Sequence, residues 1–529
     1  MTKKYLDSVR RTLSRRRALQ GMSALVGGAV LGCADDGKGN DEVGEGSTGE
    51  SGTGDSSGSE SAGESGDSST DTSEGTETST TTDTSGETTD TSSETTETGG
   101  EEDACMVESD LTLQQLLANV EHIIVLCMEN RSFDHYLGSL KFLEGRPDLD
   151  GLDGDETNLD QQGNVIPVYH LTNYTPEDPP HEWDEVHAQW NGGANDGFVI
   201  EHQQKHGDAI KQEVMGYHVR DDLPVTYALA DEYAVCDRWF CSLLGPTWPN
   251  RYYLHCGTSD GKINNTPPFI GPTSIQDACD DGGISNNNYY VDVPWKWGAF
   301  PLLGFAGTDS MDEFFNRIDD GTLEQVVILD PGFTSNDDHP DHDIQLGQAL
   351  ISTIYQALAQ SQYWDKLLFV ITYDEHGGFY DHVAPPTTPD AEGPEYQQQG
   401  FRVPSLVIGP HVRKGCTIHT VLDHASFPAT VCRKFGLPEL NERTAGVNDL
   451  GACIDPTKID QPQPPAPLPK IVINVKDVMA RVGVVTSQEE LFRATGHWPI
   501  TPEFTQRQRE NIMRLLERGE RLGALELRR

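Results

Sequence analysis

Basic residues are scarce: 38 lysines and arginines stand against 85 aspartates and glutamates, a formal net charge of −47 over 529 residues. A surface of that sign repels a phosphate backbone, which excludes nucleic acid as a partner. Long apolar runs are missing from the leader as well. Its weakly apolar stretch from Gly21 to Gly32 is too short to cross a bilayer. None of the ten cysteines forms a C-x-x-C pair, so a cysteine-based zinc site is not indicated. From Ala34 to Asp103 there is no aromatic residue and a single base, Lys38, against 21 acids. Such a segment cannot bury enough apolar surface to offset its ordering entropy and reads as a disordered tether.

What precedes the tether is an export signal. Lys3, Lys4, Arg10, Arg11 and Arg15 to Arg17 lead into the apolar stretch. Ser14-Arg15-Arg16-Arg17-Ala18-Leu19 resembles a twin-arginine signal, and Val30-Leu31-Gly32-Cys33 resembles a lipoprotein cleavage box with Val where Leu is usual. Residues 1–33 are therefore expected to export the chain across the inner membrane. A lipid on Cys33 would anchor it in the periplasm or at the cell surface; the plainer alternative is a cleaved signal with an incidental cysteine. Beyond the tether, residues 104–455 have the composition of a folded body, with 456–529 as a Pro-rich connector (Gln461 to Pro469) and an extension that is helical from Pro502. Arg507, Arg509, Arg514, Arg518 and Arg521 read as a solvated helix face. The body holds nine cysteines, an odd number that leaves one unpaired unless it bonds another chain, and their pairing is not readable.

The body is organised around Leu367 to Pro386. Seven mostly apolar residues, Leu367 to Tyr373, read as a buried strand that breaks into Asp374-Glu375-His376-Gly377-Gly378. Ile123 to Met128 does the same, ending at Glu129-Asn130-Arg131-Ser132-Phe133-Asp134-His135-Tyr136. Ligands of open α/β sheets gather outside the carboxyl ends of the strands. Two such ends here offer Glu129, Asn130, Asp374 and Glu375, an all-oxygen set suited to one divalent cation of unspecified identity. Arg131, Asp134 and His135 read as a salt-bridged turn that orients the ligands.

Cys241-Ser242-Leu243-Leu244-Gly245-Pro246-Thr247-Trp248-Pro249 places a hydroxyl where a helix should begin, since Gly245-Pro246 turns the chain and Pro249 suits a first helical turn. Free N–H groups there favour an anion such as phosphate. The simpler reading makes Thr247 the helix cap. His181 and His187 stand among aromatics, Asn336-Asp337-Asp338-His339 follows a strand-like run, and His424 opens a helix; each is as readily a packed histidine as a functional one.

Four stretches in this order, ENRSFDHY at 129–136, GPTWPNR at 245–251, NDDHPDHD at 336–343 and YDEHGG at 373–378, resemble the bacterial phosphoesterase family of phosphatidylcholine-hydrolysing phospholipases C and related acid phosphatases, within the alkaline phosphatase superfamily. The stretch 423–450 resembles that family's closing segment, so the likeness spans about 120 to 455. It implies an α/β fold of the alkaline phosphatase type, a central largely parallel sheet flanked by helices, with 104–455 as the catalytic domain. It also implies that Thr247 is the nucleophile, that Glu129, Asn130, Thr247, Asp374 and Glu375 surround one metal ion, and that His181 and His339 contact the transferring phosphoryl group. Asn195 and Asp341 depart from the family's pattern.

The expected activity is metal-dependent hydrolysis of phosphoric esters, as phospholipase C-type cleavage of a phospholipid diester through a phosphothreonine intermediate. A phosphomonoesterase would use the same residues, and a surface lipoprotein that binds a ligand without catalysis is the alternative of another class. Trp248, with Trp183, Trp190 and Tyr380, could wall a choline headgroup.

Overall fold

The computed structural model describes residues 105, 107–266, 271–300, 306–482 and 501–529. The expected signal (1–33), its Cys33 and the tether (34–103) lie outside the described residues.

Eight strands form the main sheet: β1 His122–Met128, β2 Ala234–Cys236, β3 Asn286–Tyr290, β4 Thr308–Ser310, β5 Val326–Asp330, β6 Leu367–Tyr373, β7 Leu406–Ile408 and β8 Thr417–Ile418. They lie in the order β8-β2-β7-β6-β1-β5-β3-β4. All neighbouring pairs are parallel except those made by β7, which runs against both β6 and β2. The sheet is therefore largely parallel, as expected. Its two central strands are apolar along nearly their whole length because both faces are covered: every residue of β1 and β6 is buried.

Six helices position or support the site: α1 Phe133–Tyr136, α2 Trp183–Trp190, α3 Thr247–Cys256, α4 Ile344–Ala359, α5 Ser426–Phe435 and α6 Pro502–Leu522. The register of the central strand pair fixes where its acids emerge. His122 pairs with Leu367 and Met128 with Tyr373, so the next residues, Glu129 and Asp374, leave the sheet side by side at the carboxyl edge. The Asp374 N–H donates to the Met128 carbonyl at 3.1 Å, and the Glu129 N–H to the Asp337 carbonyl at 2.8 Å.

The carboxy-terminal extension is part of this body. Ile471–Asn474 pairs in parallel with Leu525–Arg528, and α6 buries Phe504, Gln508, Ile512, Leu515 and Leu516. A Cβ at Gly519 would collide with Thr353 of α4, so glycine lets the two helices approach closely. The arginine face is not simply solvated: Arg514 bonds Asp312 and Arg518 bonds Asp319, each at 2.8 Å, while Arg509 donates to the Val482 carbonyl at 2.9 Å. Of the body's cysteines, Cys105 and Cys416 form a disulfide. The other seven described cysteines are buried, with the sulfurs of Cys236 and Cys453 3.8 Å apart.

Because Leu516 is fully buried, Leu516→Ala is expected to cost about 2–5 kcal/mol in urea unfolding. A loss of a few tenths would mean that α6 is not part of the cooperative unit.

Candidate functional site

Glu129 and Asn130 leave β1, Asp374 and Glu375 leave β6, and all four are fully buried. Asn130 takes a left-handed backbone (φ 59°), which asparagine tolerates better than most residues. Its N–H donates to Asp374 Oδ1 at 3.1 Å. Gly377 (φ 65°) passes so near the Asn130 carbonyl that a Cβ there would overlap it, which accounts for the glycine after Asp-Glu-His. The Gly377 N–H holds Glu375 Oε2 at 2.7 Å.

Arg251 fastens this group together. It lies in α3, four residues and hence one turn beyond Thr247 on the same helix face. Its Nε donates to Glu129 Oε1 at 2.8 Å and lies 3.4 Å from Asp374 Oδ2, while Nη1 lies 3.7 Å from Asp330 Oδ1. Nη2 donates to the Cys127 and Met128 carbonyls. The Phe333 ring covers the guanidinium, and Arg251 and its three carboxylate neighbours have no exposure.

One guanidinium does not balance this many buried acids. Burial, opposed by Arg251 and reinforced by Asp374, holds Glu129 well above the usual carboxylate range. Burial likewise raises Asp374 against the pull of Arg251. Glu375 is pushed up to about 8 by burial, with His181 opposing and Asp374 adding to the shift. Among the described residues, Asn130 Oδ1, Asp374 Oδ2 and Glu375 Oε1 have no hydrogen-bond partner. Buried oxygens of this kind require one. The donor type and the charge deficit are compatible with a hard divalent cation. Glu129, Asn130, Asp374 and Glu375 share this buried neighbourhood, but among the described residues the Asp and His groups close enough to share an ion are Asp178-His181-His339 and Asp134-Asp381-His382.

Thr247 is tied to this cluster through α3. The helix begins at Thr247, with Pro246 as its cap residue and no side-chain capping bond; the expectation that Thr247 serves as the cap is not met. Thr247 is 7% exposed.

The histidines flank the acids. His181 Nε2 lies 3.3 Å from Asn130 Nδ2 and 3.9 Å from Glu375 Oε1, and its ring centre is 5.7 Å from that of His339. Both rings turn Nδ1 to a backbone carbonyl, of Pro179 and Pro340 respectively, which leaves the His339 Nε2 for a ligand, while the His181 Nε2 is shared with Asn130 Nδ2. Burial opposes protonation of His181, but Glu375 and Asp178 outweigh it and raise its pKa. Burial lowers that of His339, with Asp178 and Asp337 opposing. Asp178, His181 and His339 are close enough to share an ion.

Supporting roles are equally specific. His424 Nε2–H donates to the Asp374 carbonyl at 2.6 Å and Trp239 donates to its Nδ1, which makes it a prop rather than a ligand. Arg131 reaches the Asp338 carbonyl and His135, while Asp134 pairs with Arg402 and His382. Asp134, Asp381 and His382 also converge closely enough for an ion, but Arg402 already lies 2.9 Å from both aspartates. His187 bonds only the Trp183 carbonyl of its own helix, α2. The expected aromatic wall divides: Trp248 packs with Tyr252 and Trp295, Trp190 and Tyr380 with Phe198, and Trp183 beside Leu243 and Tyr253.

Arg251, Asp330 and Asp178 went unassigned in the sequence. Asp330 ends β5 as Asp374 follows β6, so the strand-then-acid rule already applied twice would have found it. Arg251 had the four-residue spacing from Thr247 as its signal. Asp178, in an irregular loop, had only its nearness to His181.

An oxygen-rich, acid-crowded centre at the carboxyl edge of a largely parallel sheet, crossed by the helix that begins at Thr247, marks an α/β fold whose site is compatible with a metal ion. Residues 120–293 and 278–438 match the phosphoesterase family, and the chain belongs to that family. It is a hydrolase of phosphoester bonds. It is 33% identical over 362 residues to "Non-specific phospholipase C1" of Arabidopsis thaliana, covering 60% of this chain and 67% of that one. It is 31% identical over 406 residues to "Phospholipase C B" of Mycobacterium tuberculosis, covering 63% and 77%. Among solved structures, a protein in the alkaline phosphatase superfamily from Vibrio parahaemolyticus aligns over 66% of this chain and 76% of its own at 12% identity and a TM-score of 0.34, too slight a likeness to carry an argument.

Two outcomes are expected from the buried charges. Arg251→Met leaves Glu129 and Asp374 uncompensated and should cost about 3–5 kcal/mol in denaturant unfolding; a near-neutral result would show that Arg251 does not hold the acids. His382 is raised to about 10, burial opposing and Asp134 prevailing. Asp134 is lowered, burial opposing and His382 and Arg402 prevailing. A raised histidine stabilises fully below its unfolded pKa of about 6.5, and a lowered aspartate above its unfolded pKa of about 4. The pair's contribution should therefore be greatest between those values. It should decline as pH rises through about 10 and as it falls below about 4. In His382→Gln the alkaline decline should flatten; unfolding midpoints that track the wild type across about pH 6.5–10 would contradict this.

Proposed function

We propose that the chain is a phospholipase C-type enzyme that cleaves phospholipid diesters through a phosphothreonine at Thr247. The observation that carries this reading is the joining of Thr247, through Arg251, to a buried acid cluster whose oxygens Asn130 Oδ1, Asp374 Oδ2 and Glu375 Oε1 lack partners. Relatives named phospholipase C support it.

Glu129, Asn130, Asp374 and Glu375, with the Thr247 hydroxyl, would hold one divalent cation. When bound it would offset the carboxylate charge and the charge on the phosphoryl oxygens. At the amino end of α3 the Trp248 N–H is taken by Asn265 Oδ1 at 2.9 Å and Pro249 has none, so it is the positive end of the helix dipole that would favour an anion beside Thr247. Thr247 Oγ1 attacks phosphorus, the bond to the glycerol oxygen breaks, and diacylglycerol leaves after gaining a proton. Water then attacks the phosphothreonine and releases the phosphorylated headgroup. His339, whose protonation burial disfavours, is suited to accept a proton; His181, whose protonated form Glu375 and Asp178 favour against burial, is suited to donate one to a phosphoryl or leaving oxygen. A lipid on Cys33, with residues 34–103 as tether, would keep the enzyme at a membrane facing its substrate.

The reading is tested by hydrolysis of a chromogenic phosphorylcholine diester and of the matching phosphate monoester by wild type and Thr247→Ala. Diester preference, lost by a factor of at least about 10³ in the variant, is expected for a removed nucleophile. Monoester preference would transfer the same site to phosphatase chemistry. Near-normal activity of Thr247→Ala would overturn the nucleophile assignment. Chelation followed by dialysis should abolish turnover and readdition of a divalent cation restore it; activity indifferent to both would show that no cation takes part.

A further inference from the structure

A cavity of about 290 Å³ lies between α6 and the segment after β3. Val291, Val293, Trp297 and Phe504 give it apolar walls, and Arg507 and Gln508 line it from α6. Its size is close to the lower end of small-molecule sites, and its mixture of apolar walls with a few polar groups is typical of them.

Two observations separate it from a packing gap. Gln508 is 1% exposed, yet among the described residues neither its amide nitrogen nor its amide oxygen has a hydrogen-bond partner. A buried amide left unpaired at both ends costs stability unless something supplies a donor and an acceptor. The cavity also adjoins the catalytic machinery. Val293 and Phe504 belong to the same packed cluster as Trp248, the residue after Thr247. Asp292, another wall residue, accepts the Phe333 N–H at 3.1 Å, and the Phe333 ring covers Arg251. The cavity thus lies at the carboxyl edge of the sheet, one layer of side chains from the acid cluster.

We propose that this cavity receives the ester-linked acyl end of a glycerolipid, the part of the substrate that leaves as diacylglycerol. This rests on the phospholipase C-type reading. An ester carbonyl can accept from Gln508 Nε2 and, once cleavage has freed it, the diacylglycerol hydroxyl can donate to Gln508 Oε1, while the chain runs along Val291, Val293, Trp297 and Phe504. Arg507 is suited to a carbonyl oxygen. The extension beyond residue 438, where the family match ends, then has a definite role, because α6 supplies one wall of the lipid site.

The test titrates the full chain with monomeric dioctanoylglycerol, following heat, for wild type and Gln508→Leu, with thermal midpoints measured alongside. Saturable one-to-one binding to wild type, about tenfold weaker in a folded Gln508→Leu, is expected when hydrogen bonds to a buried amide are removed. No saturable binding to wild type, or equal affinity of both folded proteins, would overturn the proposal. Should Gln508→Leu not fold, wild type and Trp297→Phe are compared with a nitroxide-labelled diacylglycerol. Quenching that falls when Trp297 is removed supports the site, and quenching indifferent to Trp297 sinks it. A wild type that binds dioctanoylglycerol but cleaves no phospholipid keeps the pocket and loses the phospholipase reading. One that cleaves phospholipid while leaving dioctanoylglycerol unbound does the reverse.

Discussion

Arg251 is the constraint on which the rest of the centre depends. A parallel sheet brings the ends of β1, β5 and β6 to one edge, and each ends in or is succeeded by an acid: Glu129, Asp330 and Asp374. Three carboxylates buried together repel one another and lose their hydration, a combination that would protonate them or open the edge. The guanidinium, donating also to the carbonyls at the end of β1, makes the arrangement tenable. It sits one turn beyond Thr247 on the same helix, so electrostatic compensation of the acids and placement of Thr247 are carried by one element.

The compensation is incomplete, and that leaves room for ligands. Arg251 leaves Asp374 Oδ2, Asn130 Oδ1 and Glu375 Oε1 without hydrogen bonds, and burial keeps Glu375 up at about 8. A site fully satisfied within the protein would have no affinity for a cation or for the anionic ester it helps to hold. In the Asp134, Asp381 and His382 group, by contrast, Arg402 takes up both aspartates. The same residue types there form an internal tie, not a reactive centre.

Much of this was legible in the sequence because the signals were local. The continuous apolar runs Leu367–Tyr373 and Ile123–Met128 are buried central strands, and the acids after them meet as the strand-end rule requires. The start of α3 at Thr247 was signalled by Gly245, Pro246 and Pro249. What escaped was long-range. The role of Arg251 depends on a helix crossing three strand ends, and nothing in its neighbourhood announces that. The arginines of α6 look like a solvated face until the partners Asp312 and Asp319, about 200 residues away, are placed beside them. Trp183, Trp190, Trp248 and Tyr380 invited a single wall, but they fall into three separate packed clusters, of which Trp190 and Tyr380 share one.

The most direct test of the central claim is acid quench of the wild-type enzyme during turnover of a phosphodiester, with peptide mass spectrometry of the quenched protein. A phosphoryl-headgroup adduct on Thr247 is predicted, appearing within a turnover and decaying as substrate is exhausted. An adduct on another residue, or none under conditions where steady-state kinetics require an intermediate to accumulate, would contradict it.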